Sequence, residues 1–210
     1  KDDFLIIANN AVKANGITYY GIGKVYGEKN GGIDEIDTVT GMSKQAWALT
    51  RDGSGAESLV NSFSGSGMFF YSVEIADSLE SGSVIGTGNA DRFKTGDEDN
   101  QIRFDDYRPG SIDITFKNII SVDAADNAAL NNKNDSVKGK DKLHTKNEKA
   151  EILIVNSDGS VTSRGITFYN FEETKGEAID SVQALGLDLT YELAFDDELS
   201  RYVFNKIVDD

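Results

Sequence analysis

Residues 96–100 read Gly-Asp-Glu-Asp-Asn, and Asp105 and Asp106 follow closely, so five carboxylates and an amide fall within eleven residues. Carboxylates this crowded repel one another unless they are splayed into water or neutralised by a cation. A hard divalent ion held by oxygen ligands is the natural neutraliser, and calcium suits such a set best. Asp91 lies just upstream. A second cluster, residues 30–37, sets Asp34, Glu35 and Asp37 beside Gly31 and Gly32. Neither cluster has the spacing of an EF-hand loop. The candidate metal ligands are therefore Asp91, Asp97, Asp99, Asn100, Asp105 and Asp106 in one stretch, with Asp34 and Asp37 in the other, and the expected ion is Ca2+.

Other chemistries find little footing. The chain has no cysteine and a single histidine, His144. Disulfides, thiolate zinc sites and cysteine nucleophiles are excluded, and one imidazole would have to serve any triad or histidine zinc site alone. His144 stands in a polar, lysine-rich stretch and reads as a solvated loop residue. No serine sits in a nucleophile elbow. Paired carboxylates are the one catalytic option, as in glycoside hydrolysis, but acids are so frequent here that spacing singles out no pair. The glycines of residues 20–29, YGIGKVYGEK, lack the strand-to-helix setting of a phosphate loop. Tyr20, Ile22 and Lys24 alternate there as a strand. Trp47, Tyr71, Tyr107 and Tyr169 are aromatics able to line a shallow sugar or peptide site. Trp47, between two alanines, reads as core. Tyr107 and Arg108, in the loop DDYRPG, are the candidate ligand-binding residues, with Arg108 placed to pair with a carboxylate.

These residues need a scaffold, and period-two alternation supplies its outline. Leu187, Leu189, Tyr191, Leu193 and Phe195 alternate with smaller or polar residues, as do Phe69, Tyr71, Val73 and Ile75, and Ile112, Ile114 and Phe116. Such spacing puts large side chains on one sheet face. Residues 4–8, 152–155 and 166–171 read as further strands, and Asn15-Gly16, Asn30-Gly31-Gly32, Asp52-Gly53 and Ser157-Asp158-Gly159 as turns. Thr174 and Glu177 form a capping box ahead of Ala178, Ile179, Val182 and Leu185 at helical spacing, with Gly186 to end the helix. A weaker helical pattern covers residues 123–130. Residues 131–149 carry six lysines and almost no apolar side chain, so they read as a mobile loop, an insertion or a seam. The expected fold is mainly β: an antiparallel β-sandwich over residues 1–210 as a single domain, with one short helix near 174–185 and the Lys-rich loop.

The formal charge of −15 repels nucleic acid and anionic membranes, and no apolar run is long enough for a membrane span. The absence of an initial methionine points to a fragment or processed product. Laid out in nines, residues 86–103 read GTGNADRFK and TGDEDNQIR, with Asp91 and Asn100 at the sixth place and Phe93 and Ile102 at the eighth. This stretch resembles the calcium-binding nonapeptide repeats of secreted bacterial RTX proteins, with Asn89 and Glu98 departing from the glycine of the fourth place. The resemblance covers about a tenth of the chain. It implies a calcium-stabilised, non-catalytic binding module of a surface adhesin, secreted to the bacterial cell surface. Its partner would be a peptide or glycan on another cell, bound by a monomeric module within a longer chain. The alternatives are a structural subunit of a surface layer, pilus or virion, and a carbohydrate-active enzyme on a β-sandwich.

Overall fold

A computed structural model describes residues 3–27, 36–51, 60–87, 91–105, 113–125, 142–145, 150–171, 173–176, 180–184, 190–196 and 201–207. The strands of the first half are β1 (Asp3–Ala8), β2 (Ala11–Ala14), β3 (Ile17–Tyr20), β4 (Lys24–Tyr26), β5 (Thr38–Thr40), β6 (Ala46–Arg51), β7 (Val60–Gly65), β8 (Met68–Tyr71) and β9 (Ile75–Ile85). Those of the second are β10 (Arg92–Thr95), β11 (Ile102–Asp105), β12 (Asp113–Asp123), β13 (Lys142–His144), β14 (Ile152–Val155), β15 (Val161–Ser163), β16 (Ile166–Tyr169), β17 (Glu173–Lys175) and β18 (Ser181–Ala184). These join in one mixed sheet of eighteen strands, while β19 (Thr190–Asp196) and β20 (Arg201–Ile207) form a separate hairpin.

The pairings reveal an internal duplication. In the first unit β1 pairs antiparallel with β2 and parallel with β5, β2 pairs with β3, β4 runs parallel to β8, β5 and β6 both run parallel to β9, and β6–β7–β8 is an antiparallel meander. The second unit repeats every one of these, with β10, β11, β12, β13 and the meander β14–β15–β16 in the same places, and β17 and β18 in the two halves of β9. Registers agree residue by residue. Phe4 stands opposite Ala14 and Val39, as Phe93 stands opposite Phe104 and Leu143. Trp47 stands opposite Val84, as Leu153 stands opposite Val182. One further pairing, β9 parallel to β12, is the seam that joins the units.

Local sequence accounts for the repeated shape. The turns Asn15-Gly16, Ser66-Gly67 and Arg164-Gly165 place both residues in the left-handed region, with φ of 49 and 78, 50 and 77, and 49 and 78. That is the two-residue hairpin turn whose twist matches its strands. Four six-residue segments then share one pattern: Ile17–Ile22, Met68–Val73, Ile114–Ile119 and Ile166–Phe171. Their third residue is aromatic. Phe70, Phe116 and Phe168 are buried, while Tyr19, on β3, is not. Their fifth residue, Gly21, Ser72, Asn118 or Asn170, has φ of 69, 52, 56 or 61 and turns the chain through a corner. Glycine and asparagine tolerate that conformation best.

A single apolar core runs through both units, from Phe4, Val39 and Trp47 to Phe116, Leu143 and Phe168. Trp47 is fully buried and donates its indole N–H to Ser78 Oγ at 2.9 Å. Its ring lies against Gly65, where an added Cβ would come within 2.7 Å of it.

Several expectations change. The chain is mainly β, but its sheet is mixed, with parallel ladders that a purely antiparallel sandwich lacks. In place of the helix near 174–185 stand β17 and β18; Thr174 pairs with Leu143 and Val182 with Leu153, so ladder pairing overrides the helical spacing. Within 131–149, Lys142–His144 form β13 and His144 is a half-buried strand residue; the stretches 131–141 and 146–149 lie outside the described residues. Asp123 ends β12, and 126–130, the body of the weaker helix candidate, also lie outside. The hairpin across 157–159 forms as β14–β15.

Candidate functional site

The acidic turn 96–100 links β10 to β11, and two side chains organise it. Asn100, with φ of 58, donates its Nδ2 to the carbonyls of Ile119 at 3.1 Å and Gly165 at 3.2 Å. Its own N–H donates to Arg164 O, and its carbonyl accepts from Ile119 N. Asn10 makes the same clamp in the first unit, donating Nδ2 to Ile22 O and Gly67 O and its N–H to Ser66 O. Arg164, on the next turn, reaches under the acidic residues. Its Nη1 donates to Gly96 O at 2.7 Å, its Nη2 to Asp97 O at 2.9 Å and its Nε to Asp99 Oδ1 at 3.3 Å. A guanidinium thus lies where the turn's carbonyls and one carboxylate converge.

Arg164 also lies 3.7 Å from Glu151, whose buried carboxylate accepts from Thr95 Oγ1 at 2.7 Å and Ser163 Oγ at 3.0 Å. At the equivalent places of the first unit stand Gln45 and Ser66, joined by a 2.9 Å bond from Ser66 Oγ to Gln45 Oε1. The same junction is therefore neutral in one unit and charged in the other. Both partners differ together, as expected when a buried carboxylate needs a nearby cation.

The other expected ligands go to separate places. Asp91 is buried, and its carboxylate accepts from Thr87 N at 2.6 Å and Thr87 Oγ1 at 2.9 Å. Asp37 is buried at the corner before β5, its N–H donating to Glu74 Oε2 and its carboxylate facing Gly27. Asp97 and Asp99 face outward on the turn, and Asp105 ends β11 opposite Asp113. Asp34, Asp106, Tyr107 and Arg108 lie outside the described residues. Among the described residues no three histidine, aspartate or glutamate side chains gather into a group able to hold a metal ion. Asp158 closes the β14–β15 turn, where the Ser160 hydroxyl, at 2.6 Å, and then the Ser160 N–H hold its carboxyl below the usual aspartate value.

The aromatic candidates separate by face. Trp47 is core. Tyr71 and Tyr169 are equivalent fourth residues of the repeated segment and point outward with Tyr20. Tyr71 stacks on Tyr26 of β4, with ring centroids 4.9 Å apart and planes 15° from parallel, and Lys24 Nζ lies 6.0 Å from the Tyr71 centroid. Tyr26 is 61% exposed, and Phe69 shares the outward face. This gives a flat aromatic platform with a cation at its margin, the chemistry that holds a sugar ring or an extended peptide. Sequence reading chose Tyr71 and Tyr169 but passed over Tyr26 and Lys24, which only the parallel β4–β8 register brings beside Tyr71. Comparison with protein-family models, with curated proteins and with solved structures returned no match.

Proposed function

We propose that the chain is a non-catalytic binding module of a bacterial surface adhesin, which captures a glycan or peptide on another cell through the outward platform of Tyr26, Tyr71, Phe69 and Lys24. The stacked Tyr26–Tyr71 pair carries this reading, because it leaves Tyr26 61% exposed beside the outward Phe69 and Lys24. The buried polar groups support a non-catalytic role: Glu151 and Asp91 are taken up by bonds within the fold. Calcium enters as a stabiliser of the acidic connections outside the cell. Screening the chain on glycan and peptide arrays tests the ligand. A hit should be lost on Tyr26→Ala or Tyr71→Ala with the fold intact, and a hit that survives both refutes the platform. Turnover of any bound glycan would favour the enzyme instead. Adding calcium to chelated protein should raise the melting midpoint, and an unchanged midpoint removes calcium from the proposal.

A further inference from the structure

The duplication supplies an internal control for the aromatic platform. In the first unit Lys24 and Tyr26 of β4 stand beside Phe69 and Tyr71 of β8. The equivalent ladder of the second unit, β12 beside β16, sets Ser121 and Asp123 beside Thr167 and Tyr169. Val25 and Phe70 lie at the centre of one ladder, Val122 and Phe168 at the centre of the other, and all four are buried. The inward residues are therefore kept, as the core requires, while three of the four outward ones change in kind. Serine, aspartate and threonine suit the same backbone, so the ladder itself does not call for Lys24, Tyr26 or Phe69. Asp123 is engaged within its own unit, its Oδ1 accepting from Asn170 Nδ2 at 2.7 Å and Ala125 N at 3.0 Å. By contrast, the Lys24 ammonium and the phenol hydroxyls of Tyr26 and Tyr71 make no hydrogen bond or ion pair among the described residues.

We propose, resting on the platform assigned above, that its ligand is an acidic sugar: a pyranose carrying a carboxylate on the ring, of the uronic acid class, stacked on Tyr26 with its carboxylate at Lys24. Stacking on Tyr71 holds the Tyr26 ring in one orientation while leaving it mostly exposed, so little side-chain freedom is lost when a ligand lands. Lys24 and Tyr26 are two residues apart on one strand, about 6.6 Å along it, and Lys24 Nζ lies 6.0 Å from the Tyr71 centroid. A carboxylate fixed to the ring travels with the ring when it stacks, and this spacing brings it within the reach of a lysine side chain. The two phenol hydroxyls are left to meet sugar hydroxyls. A peptide fits this face less well. Main-chain donors and acceptors point within the plane of a sheet and not out of its face, so a peptide laid there gains none of the ladder bonds that hold extended peptides. The net charge of −15 does not oppose the assignment, because at physiological salt charges beyond about 8 Å are screened. Lys24 therefore governs the local field. The second unit, with Asp123 where Tyr26 stands, offers an anion no equivalent site, so one ligand binds per chain.

Isothermal titration of the purified chain with oligomers of galacturonate, glucuronate and mannuronate, and with the same oligomers after reduction of their carboxyls to alcohols, tests this. The variants Lys24→Ser, Tyr26→Asp and Phe69→Thr each install the residue of the second unit. A uronate should bind one per chain and its reduced form about tenfold more weakly, the loss of one charge-assisted bond. Lys24→Ser should cost the uronate the same tenfold and leave the reduced form unchanged, and Tyr26→Asp should abolish binding of both. Phe69→Thr serves in place of Tyr26→Asp should the latter lose its native circular dichroism, and should weaken both forms alike. Absence of binding to every uronate, equal affinity for acid and reduced forms, a Lys24→Ser loss that falls equally on both, or preference for a sulfated oligomer or a polyglutamate peptide overturns the proposal. A neutral glycan that binds without acidic preference and is lost on Tyr26→Ala overturns the acidic sugar and keeps the platform, whereas a uronate that binds every Tyr26 and Phe69 variant as it binds the wild type overturns both.

Discussion

Replacing Arg164 by serine separates its two roles, as ion partner of Glu151 and as support of the acidic turn. In the native fold Glu151 is 3% exposed, and the guanidinium is its nearest cation among the described residues. Breaking a buried pair by removing one partner costs about 3–5 kcal/mol. The 3.7 Å separation, and the retained bonds from Thr95 and Ser163, put this case at the lower end, about 3 kcal/mol. The first unit shows the remedy: at the same junction it carries glutamine and serine, bonded at 2.9 Å. Arg164→Ser combined with Glu151→Gln installs that pair in the second unit. It should recover most of the loss and leave about 1 kcal/mol, attributable to the hydrogen bonds Arg164 made to Gly96 and Asp97. Urea unfolding of the wild type, both single variants and the double variant closes the cycle. With a slope of about 3 kcal/mol/M, the single Arg164 variant should shift the midpoint by about 1 M and the double by about a third of that. A double variant no more stable than Arg164→Ser alone would refute the charge pairing and the equivalence of the two junctions.

Three further perturbations follow. Asn100→Ala should cost about 3 kcal/mol, from two lost hydrogen bonds and a left-handed alanine, and Asn100→Gly about 1 kcal/mol less because the backbone strain goes. Asn100→Asp distinguishes clamp from metal ligand: it should lower the melting midpoint with or without calcium, and calcium-dependent stabilisation would show the residue to be a ligand. Gly65→Ala drives a Cβ into the Trp47 ring and should destabilise by about 1–3 kcal/mol, read as a lowered midpoint with a shifted tryptophan emission. Asp158 is held ionised by Ser160, so its folded value lies below its unfolded one. Its contribution is therefore present above the unfolded value, near pH 4, and lost as pH falls through the folded one. Asp158→Asn should be less stable than wild type at pH 7, with the gap narrowing as acid protonates the carboxylate, and a gap that acid leaves unchanged would exclude the carboxylate as its source.

The strands were legible because their signals are local: alternation in residues 112–116, and β-branched and aromatic content in 166–171. The turns at Asn15-Gly16 and Ser157-Asp158-Gly159 were legible for the same reason. The duplication was hidden because its signature is short. Ile-Thr-Tyr-Tyr-Gly-Ile at 17–22 and Ile-Thr-Phe-Tyr-Asn-Phe at 166–171 are alike, but the connections between such segments differ in length and break any fixed period. The helical spacing of 178–185 misled because isolated periodicity carries no knowledge of the parallel strand waiting at Leu153. Carboxylate crowding at 96–106 suggested a cation, and the guanidinium that bonds Gly96, Asp97 and Asp99 in the described fold, that of Arg164, lies 65 positions after Asp99, where no local window reaches.

The two copies keep their ladders while their joints differ. Leu49 and Phe63 bound a far longer connection than their equivalents Val155 and Val161, yet the paired registers on either side are unchanged. Loop closure grows costlier only slowly with length, so each joint is a place where sequence can be spliced in or out without disturbing the frame. A foreign epitope inserted at Asp158–Gly159 should be displayed between β14 and β15 with both of their ladders kept.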